Sequence, residues 1–275
     1  MDIVQPRTAS GSLTRIAVLF FLNANTTNKS NGGWSRMLNE QRPWPVPKSP
    51  WIIKQIWHDL LFLHYPVAIE AIQPYIPKGL VLDTFEGKAW ISIVPFWMSH
   101  IRLRWTPPMP VVSKALELNV RTYVLVGNKP GVYFFSLDID GLLGVMVGRA
   151  CFKLPYYYAK MKLDRIAHTV DYQSKRTKDG QQTFEGSYQA ASEKFHAKQG
   201  SLDYWLVERY CLYSHLKGKN YICEIDHEPW NLQRVDYKVT NNTMLANYNI
   251  ELPEPYAAHY CPKNEVHIWP LKRIR

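Results

Sequence analysis

Leu116-Glu117-Leu118-Asn119-Val120-Arg121-Thr122-Tyr123-Val124-Leu125-Val126, then Gly127-Asn128-Lys129-Pro130-Gly131, then Val132–Ile139, is the stretch that decides the fold class. Two apolar, β-branched runs are joined by a short segment rich in glycine and proline, which predicts a pair of strands around a turn. Successive strand residues point to opposite faces. Glu117, Asn119, Arg121 and Tyr123 therefore make one polar stripe, while Leu118, Val120 and Val124 face the other way. On an open sheet such a stripe faces water. In a curled sheet it lines a cavity, where a buried Glu and Arg must pair or meet a ligand. The alternation is compatible with both.

The same grammar extends in both directions. Leu80–Phe85 turns through Glu86-Gly87-Lys88 into Ala89–Phe96, Leu163–Thr177 and Gln181–Ala191 flank Asp179-Gly180, and Tyr210–Leu216 and Tyr221–Asp226 flank Gly218. Trp51–Tyr65 is long enough for one strand or two. Helices are few: Val67–Tyr75, ended by Pro74 and Pro77; Gly141–Cys151, with Asp140 placed to cap it; and Leu202–Arg209, capped by Ser201. Strands bridged by short turns predict an α+β fold, mainly antiparallel β, with the sheet closed or strongly curled around a core.

Length and composition narrow the class. With 275 residues, 46% of them apolar and 20% charged, the chain can bury a substantial core. The formal charge is +10, yet no run of five basic residues occurs and Lys and Arg are scattered among acids and aromatics. Basicity alone speaks to solubility and non-specific attraction, so no nucleic-acid partner is expected. Cys151, Cys211, Cys223 and Cys261 form no CxxC pair, which predicts reduced thiols in a cytoplasmic protein. No segment approaches the ~18–20 apolar residues of a membrane span, so no membrane partner is expected. Residues 1–36 lack an amphipathic period, and Asn23–Gly33 has linker composition. Met37 opens Met-Leu-Asn-Glu-Gln-Arg-Pro-Trp-Pro, and translation is expected to begin there. Residues 1–36 are then a disordered or spurious leader, and 37–275 form one domain.

Several residues could carry chemistry. Arg149, near the end of the predicted Gly141–Cys151 helix, either satisfies the last carbonyls or holds a carboxylate with its planar fork. Tyr156, Tyr157 and Tyr158 follow Pro155 and read either as core or as hydroxyl donors. His58 and His64 share a face if Ile56–His64 is one strand, but spacing suggests no third ligand, so no metal site is expected. Asp138 and Asp140 read as turn and cap acids. A Ser nucleophile elbow, a phosphate loop and a dinucleotide fingerprint are all missing from the sequence, and no cofactor is expected.

Longer strings carry a resemblance. Trp57–Phe62, Leu82–Phe85, Val94–Phe96, Glu117–Val124, Gly131–Asp138, Leu154–Ala159 and Glu208–Tyr210 resemble the YqjF-like family of uncharacterised bacterial proteins, a domain of unknown function. That family is similar in fold to acetoacetate decarboxylase, which implies a cone-like β-barrel around a cavity, often in a homo-oligomer. Gly148-Arg149-Ala150-Cys151-Phe152-Lys153-Leu154-Pro155-Tyr156-Tyr157 is similar to the decarboxylase pattern Gly-Arg-Glu, two residues, Gly, one residue, Pro-Lys-Lys. On that template Glu117 matches an acid lining the pocket and Arg149 the motif arginine. Ala150 stands for the glutamate, and Tyr156-Tyr157 stand for the lysine pair. A phenol cannot form the iminium that β-keto acid decarboxylation requires, and Lys153 and Lys160 are off register. The expectation is a pocket for a small oxo- or carboxylate compound without the Schiff-base lysine. Tyr156, Glu117 and Arg149 are the candidate catalytic groups; Arg121, Asn119, Tyr123 and Tyr157 are the candidate ligand-binding groups. A non-catalytic binding protein and a structural or assembly protein are the alternatives.

Overall fold

The computed structural model describes residues 41–107, 114–178 and 180–274. The expectation for residues 1–36 lies outside the described residues. Strands dominate: β1 (Ile53–Val67), β2 (Val81–Leu82), β3 (Ala89–Leu103), β4 (Lys114–Val126), β5 (Lys129–Ile139), β6 (Tyr156–Ile166), β7 (Thr169–Arg176), β8 (Thr183–Ala190), β9 (Cys211–Leu216), β10 (Lys219–His227), β11 (Val235–Asn242), β12 (Ala257–Ile268) and β13 (Lys272–Arg273). Among the described residues three short α-helices accompany them: α1 (Ile69–Ile72), α2 (Leu142–Phe152) and α3 (Leu202–Val207).

The strands return on themselves. Neighbours run β5-β9-β10-β12-β1-β3-β4, and β4 pairs back onto β5, so seven strands make a ring-like sheet. β5 is the closing element. It pairs antiparallel with β4 along its length, and parallel with β9 at Val132 and Tyr133 and with β6 at Leu137–Ile139. From β6 the antiparallel order β6-β7-β8-β11 continues away from the ring. This second arm lies over the ring's outer face. Tyr172 of β7 donates its hydroxyl to the Phe96 and Glu117 carbonyls, at 3.0 and 2.8 Å, and Tyr188 of β8 donates to the Asp59 carbonyl at 2.7 Å. The α+β, mainly antiparallel expectation holds, with the sheet curled into a ring.

Both faces of the ring are apolar, so β1, β3 and β4 read as nearly continuous hydrophobic runs. Inward-facing Phe62, Trp90, Phe96, Leu137, Ile225 and Cys261 share one buried cluster, into which α2 adds Val145 and α3 adds Leu206. Outward-facing Leu61, Leu63, Ile91, Leu118 and Val120 form a second cluster with Tyr172, Phe184 and Tyr188 of the arm. Each fully buried side chain of this kind contributes about 1.5–3 kcal/mol.

A bulge in β1 sets which residues face inward. Asp59 adopts φ +52°, and the β1–β3 register shifts between His58 and Leu63. Its carboxylate is held from outside the ring by Arg165, Tyr260 and Trp97. Consequently His58 and His64, expected on one face, point opposite ways. His58 stacks on Trp97 with ring centroids 4.0 Å apart, while His64 joins Phe62 on the inner face.

Other local expectations are corrected. Tyr156 opens strand β6 directly, and the predicted Leu163–Thr177 strand breaks into β6 and β7 at Ala167, which takes φ +53°. Asp140 does not cap α2; its Oδ1 accepts from the Leu116 N–H at 3.1 Å, and Gly141 is the N-cap residue without a side-chain cap. Asp138 is no turn acid but the buried partner of Arg176, 2.7 Å away. Ser201 does cap α3, its oxygen accepting from the Tyr204 N–H at 3.2 Å. The four cysteines are free thiols; Cys211, Cys223 and Cys261 are buried on β9, β10 and β12, and Cys151 is half-buried.

Candidate functional site inside the ring

The polar stripe of β4 faces the inside of the ring. Glu117, Asn119, Arg121 and Tyr123 are all buried, opposite Phe96, Val94 and Ser92 of β3 and across from β5. The stripe therefore faces the buried interior, and the solvated-face alternative is corrected. Curling is the reason: one arc of β1, β3 and β4 turns its inner face towards α3 and the opposite arc.

At one end stands Glu117. Tyr156, next to Leu137 at the start of β6, donates its hydroxyl to Glu117 Oε2 at 3.1 Å, and Asn119 bonds the same carboxyl. Burial pushes Glu117 up from 4.5 to about 8, with the Tyr156 and Asn119 hydrogen bonds pulling in the opposite sense. At neutral pH the group is therefore mostly a neutral acid. Burial, then the Glu117 charge, pushes the Tyr156 phenol well above its ordinary range. Gly148 of α2 makes this placement possible, because a Cβ there would sit 2.2 Å from the Tyr156 ring.

At the other end stands Arg121. Its guanidinium lies over the Phe62 ring, 5.7 Å from the centroid, and Tyr123 is its hydrogen-bonding neighbour. Burial presses its pKa down, partly offset by Tyr123. Its Nε and Nη2, one whole edge of the fork, have no partner among the described residues. Neighbouring polar groups are already engaged: Arg209 pairs with Asp83 at 2.6 Å and lies over Tyr123 and Trp205, and His259 Nε2 lies 3.0 Å from Asp203 Oδ1. His64 completes this end through Ser92, whose Oγ is 2.6 Å from His64 Nδ1 and 2.5 Å from the Tyr123 hydroxyl. Burial, then His259 and Arg121, holds His64 well below the usual imidazole range.

Two sequence-derived candidates stand elsewhere. Arg149 is exposed on α2, donates to the Tyr156 carbonyl at 2.7 Å and does not reach the ring interior. Tyr157 alternates to the face opposite Tyr156 and stacks under Arg176, 3.9 Å from its guanidinium carbon. Glu117, Asn119, Arg121, Tyr123 and Tyr156 do come together. The sequence pattern marks none of His64, Ser92, His259, Asp203 and Arg209 as a site residue. Only the Leu60, Phe62, His64 alternation could have flagged one of them, since α3 and β12 are remote in sequence. Among the described residues the buried charged groups include Arg42, Arg121, Arg176 and Arg209 but no lysine, and no cluster of three His, Cys, Asp or Glu side chains could hold a metal.

A family model, DUF2071, described as an uncharacterized conserved protein, matches residues 54–265. The chain belongs to that family. It is 43% identical over 235 residues to the uncharacterized protein YqjF of Bacillus subtilis (strain 168), covering 85% of this chain and 97% of that protein. Solved structures share the fold at low identity. The enduracididine biosynthesis enzyme MppR, complexed with the condensation product of pyruvate and imidazole 4-carboxaldehyde, aligns with TM-score 0.59 and 11% identity over 82% of this chain and 90% of that one. Acetoacetate decarboxylase from Legionella pneumophila aligns with TM-score 0.54 and 12% identity over 90% and 98%. An acetoacetate decarboxylase-like enzyme from Sphingomonas wittichii RW1 aligns with TM-score 0.55 and 11% identity over 85% and 99%. The acetoacetate decarboxylase-like fold and the YqjF-like family are thus those the sequence resembled. No described helix is long and apolar enough to cross a membrane.

Proposed function

We propose that the ring interior binds a small organic acid, its carboxylate seated on Nε and Nη2 of Arg121. The observation that carries this is the unpartnered edge of a buried guanidinium. A cation without a counter-charge is costly in a low-dielectric interior. The Nε/Nη2 edge matches the two oxygens of a carboxylate in a bidentate pair. Asp83 serves Arg209 and Asp203 lies against His259, and among the described residues no carboxylate pairs with Arg121.

The Glu117–Tyr156 pair suits acid–base chemistry on such a ligand. A carboxyl poised at about 8 can give or take a proton near neutrality. Schiff-base decarboxylation, by contrast, needs a neutral lysine in a desolvated pocket. Lys153 is instead fixed to the Ala150 carbonyl at the end of α2, and Lys160 is exposed on β6. MppR, a fold neighbour, has been solved with pyruvate, an acid of the size proposed here.

Thermal shift with a panel of short carboxylates tests the reading, since a ligand bound only by the native state raises Tm. Arg121→Met should abolish the shifts while remaining folded by circular dichroism. A panel that never moves Tm, or shifts unchanged in Arg121→Met, would sink the proposal. Borohydride added with pyruvate should leave no adduct on any lysine.

A further inference from the structure

The histidines at the Arg121 end point to a narrower ligand class. Their tautomers follow from who can donate to whom. Arg121 has only protons to give, so the neighbouring Tyr123 oxygen accepts from it and the Tyr123 proton must go elsewhere. Ser92 Oγ, 2.5 Å away, takes that proton, and the Ser92 hydroxyl then donates to His64 Nδ1 at 2.6 Å. This leaves the His64 proton on Nε2, which has no partner among the described residues. His259 is set the other way. Its Nε2 lies 3.0 Å from Asp203 Oδ1, and a carboxylate only accepts, so the proton sits on Nε2. Arg234 Nη1 also approaches Nε2, at 3.4 Å, but the carboxylate contact is shorter, and an unprotonated Nε2 would set its lone pair against Asp203 Oδ1. His259 Nδ1 is then a bare lone pair, also unpartnered.

The two rings are edge to face, with centroids 5.3 Å apart, and neither histidine is exposed to solvent. One inward nitrogen donates and the other accepts. A hydroxyl group satisfies both at once, receiving from His64 Nε2 and donating to His259 Nδ1. A carbonyl satisfies only the first, and a methylene satisfies neither. Ser92, which fixes His64, is also the cross-strand partner of Arg121, so the hydroxyl and carboxylate subsites are adjacent.

Resting on the carboxylate reading above, we propose that the ligand is a short hydroxy acid, with His64 and His259 as its hydroxyl clamp and Asp203 as the residue that positions His259. An unpaired buried donor or acceptor costs about 1–3 kcal/mol, so each missing partner should cost about 5- to 150-fold in affinity.

Calorimetric titration of the full chain with lactate, pyruvate and propionate, above the ordinary histidine range, separates the two readings. Lactate is expected to bind most tightly, pyruvate less and propionate least. Asp203→Asn reverses the hydrogen bond at His259 Nε2 and moves the proton to Nδ1. It should therefore erase the preference of lactate over pyruvate while leaving propionate affinity within twofold. A merely structural role for Asp203 would weaken all three acids alike, and that result would overturn the positioning assignment. Equal binding of lactate and propionate by the unmodified protein would overturn the hydroxy-acid clamp and leave the carboxylate site standing. Failure of all three to bind would overturn both.

Discussion

Glu117 shows how a single residue can tie stability to its chemical role. Its carboxyl rises from 4.5 to about 8 because burial removes water that no cation replaces. Between those values the folded protein keeps a proton that the unfolded chain releases. The stabilisation is complete below about 4.5 and is lost as pH rises through about 8, on the order of a few kcal/mol in total. Glu117→Gln keeps an acceptor for the Tyr156 hydroxyl and cannot ionise. Its Tm should match the unmodified protein below about pH 4.5 and exceed it by a margin that grows until about pH 8. Parallel Tm curves for the two proteins would show that Glu117 does not hold the proton.

At the scale of elements, α2 and β6 meet at one close contact. The Tyr156 ring lies against Gly148, where an added methyl would overlap it at 2.2 Å. Gly148→Ala should cost about 1–3 kcal/mol in urea unfolding through overpacking. Gly141→Ala, where a Cβ meets nothing within 4 Å, should stay within about 0.5 kcal/mol. Equal effects at the two sites would remove the case for a Gly148–Tyr156 contact. The same elements show what a sequence can and cannot disclose. The β4 stripe is legible because strict alternation of polar and apolar residues needs no tertiary knowledge. Whether that stripe is wet depends on curvature, which arises from pairings such as β4–β5 and β1–β12 that no local pattern contains. Asp59 hides its bulge in a continuous apolar run, so the inward turn of His64 was invisible. Arg149 and Tyr157 show a related limit: one faces out from a helix and the other alternates away from the ring interior, and neither direction is written in the motif.

The whole molecule depends on β5, where the ring closes. Gly131 faces β9 so closely that a Cβ would meet Cys211 Sγ at 2.7 Å and the Cys211 carbonyl at 2.8 Å. Backbone cannot yield as a flexible side chain can. Gly131→Val should therefore break the parallel β5–β9 pairing and abolish cooperative unfolding with loss of near-ultraviolet circular dichroism. Retention of a sharp wild-type transition would show that the ring tolerates an open seam. Closure has another effect through the thiols it encloses. Cys211, Cys223 and Cys261 lie on three consecutive ring strands, β9, β10 and β12. Burial pushes Cys211 and Cys261 up to about 12, and Cys223 higher still. A thiol reagent attacks the thiolate, so in the intact ring these sulfurs are inert and each reacts only as often as its strand lets go. The molecule thus carries three unlabelled clocks along one arc of its wall. Whether they tick together or one after another distinguishes a ring that opens all at once from one that peels.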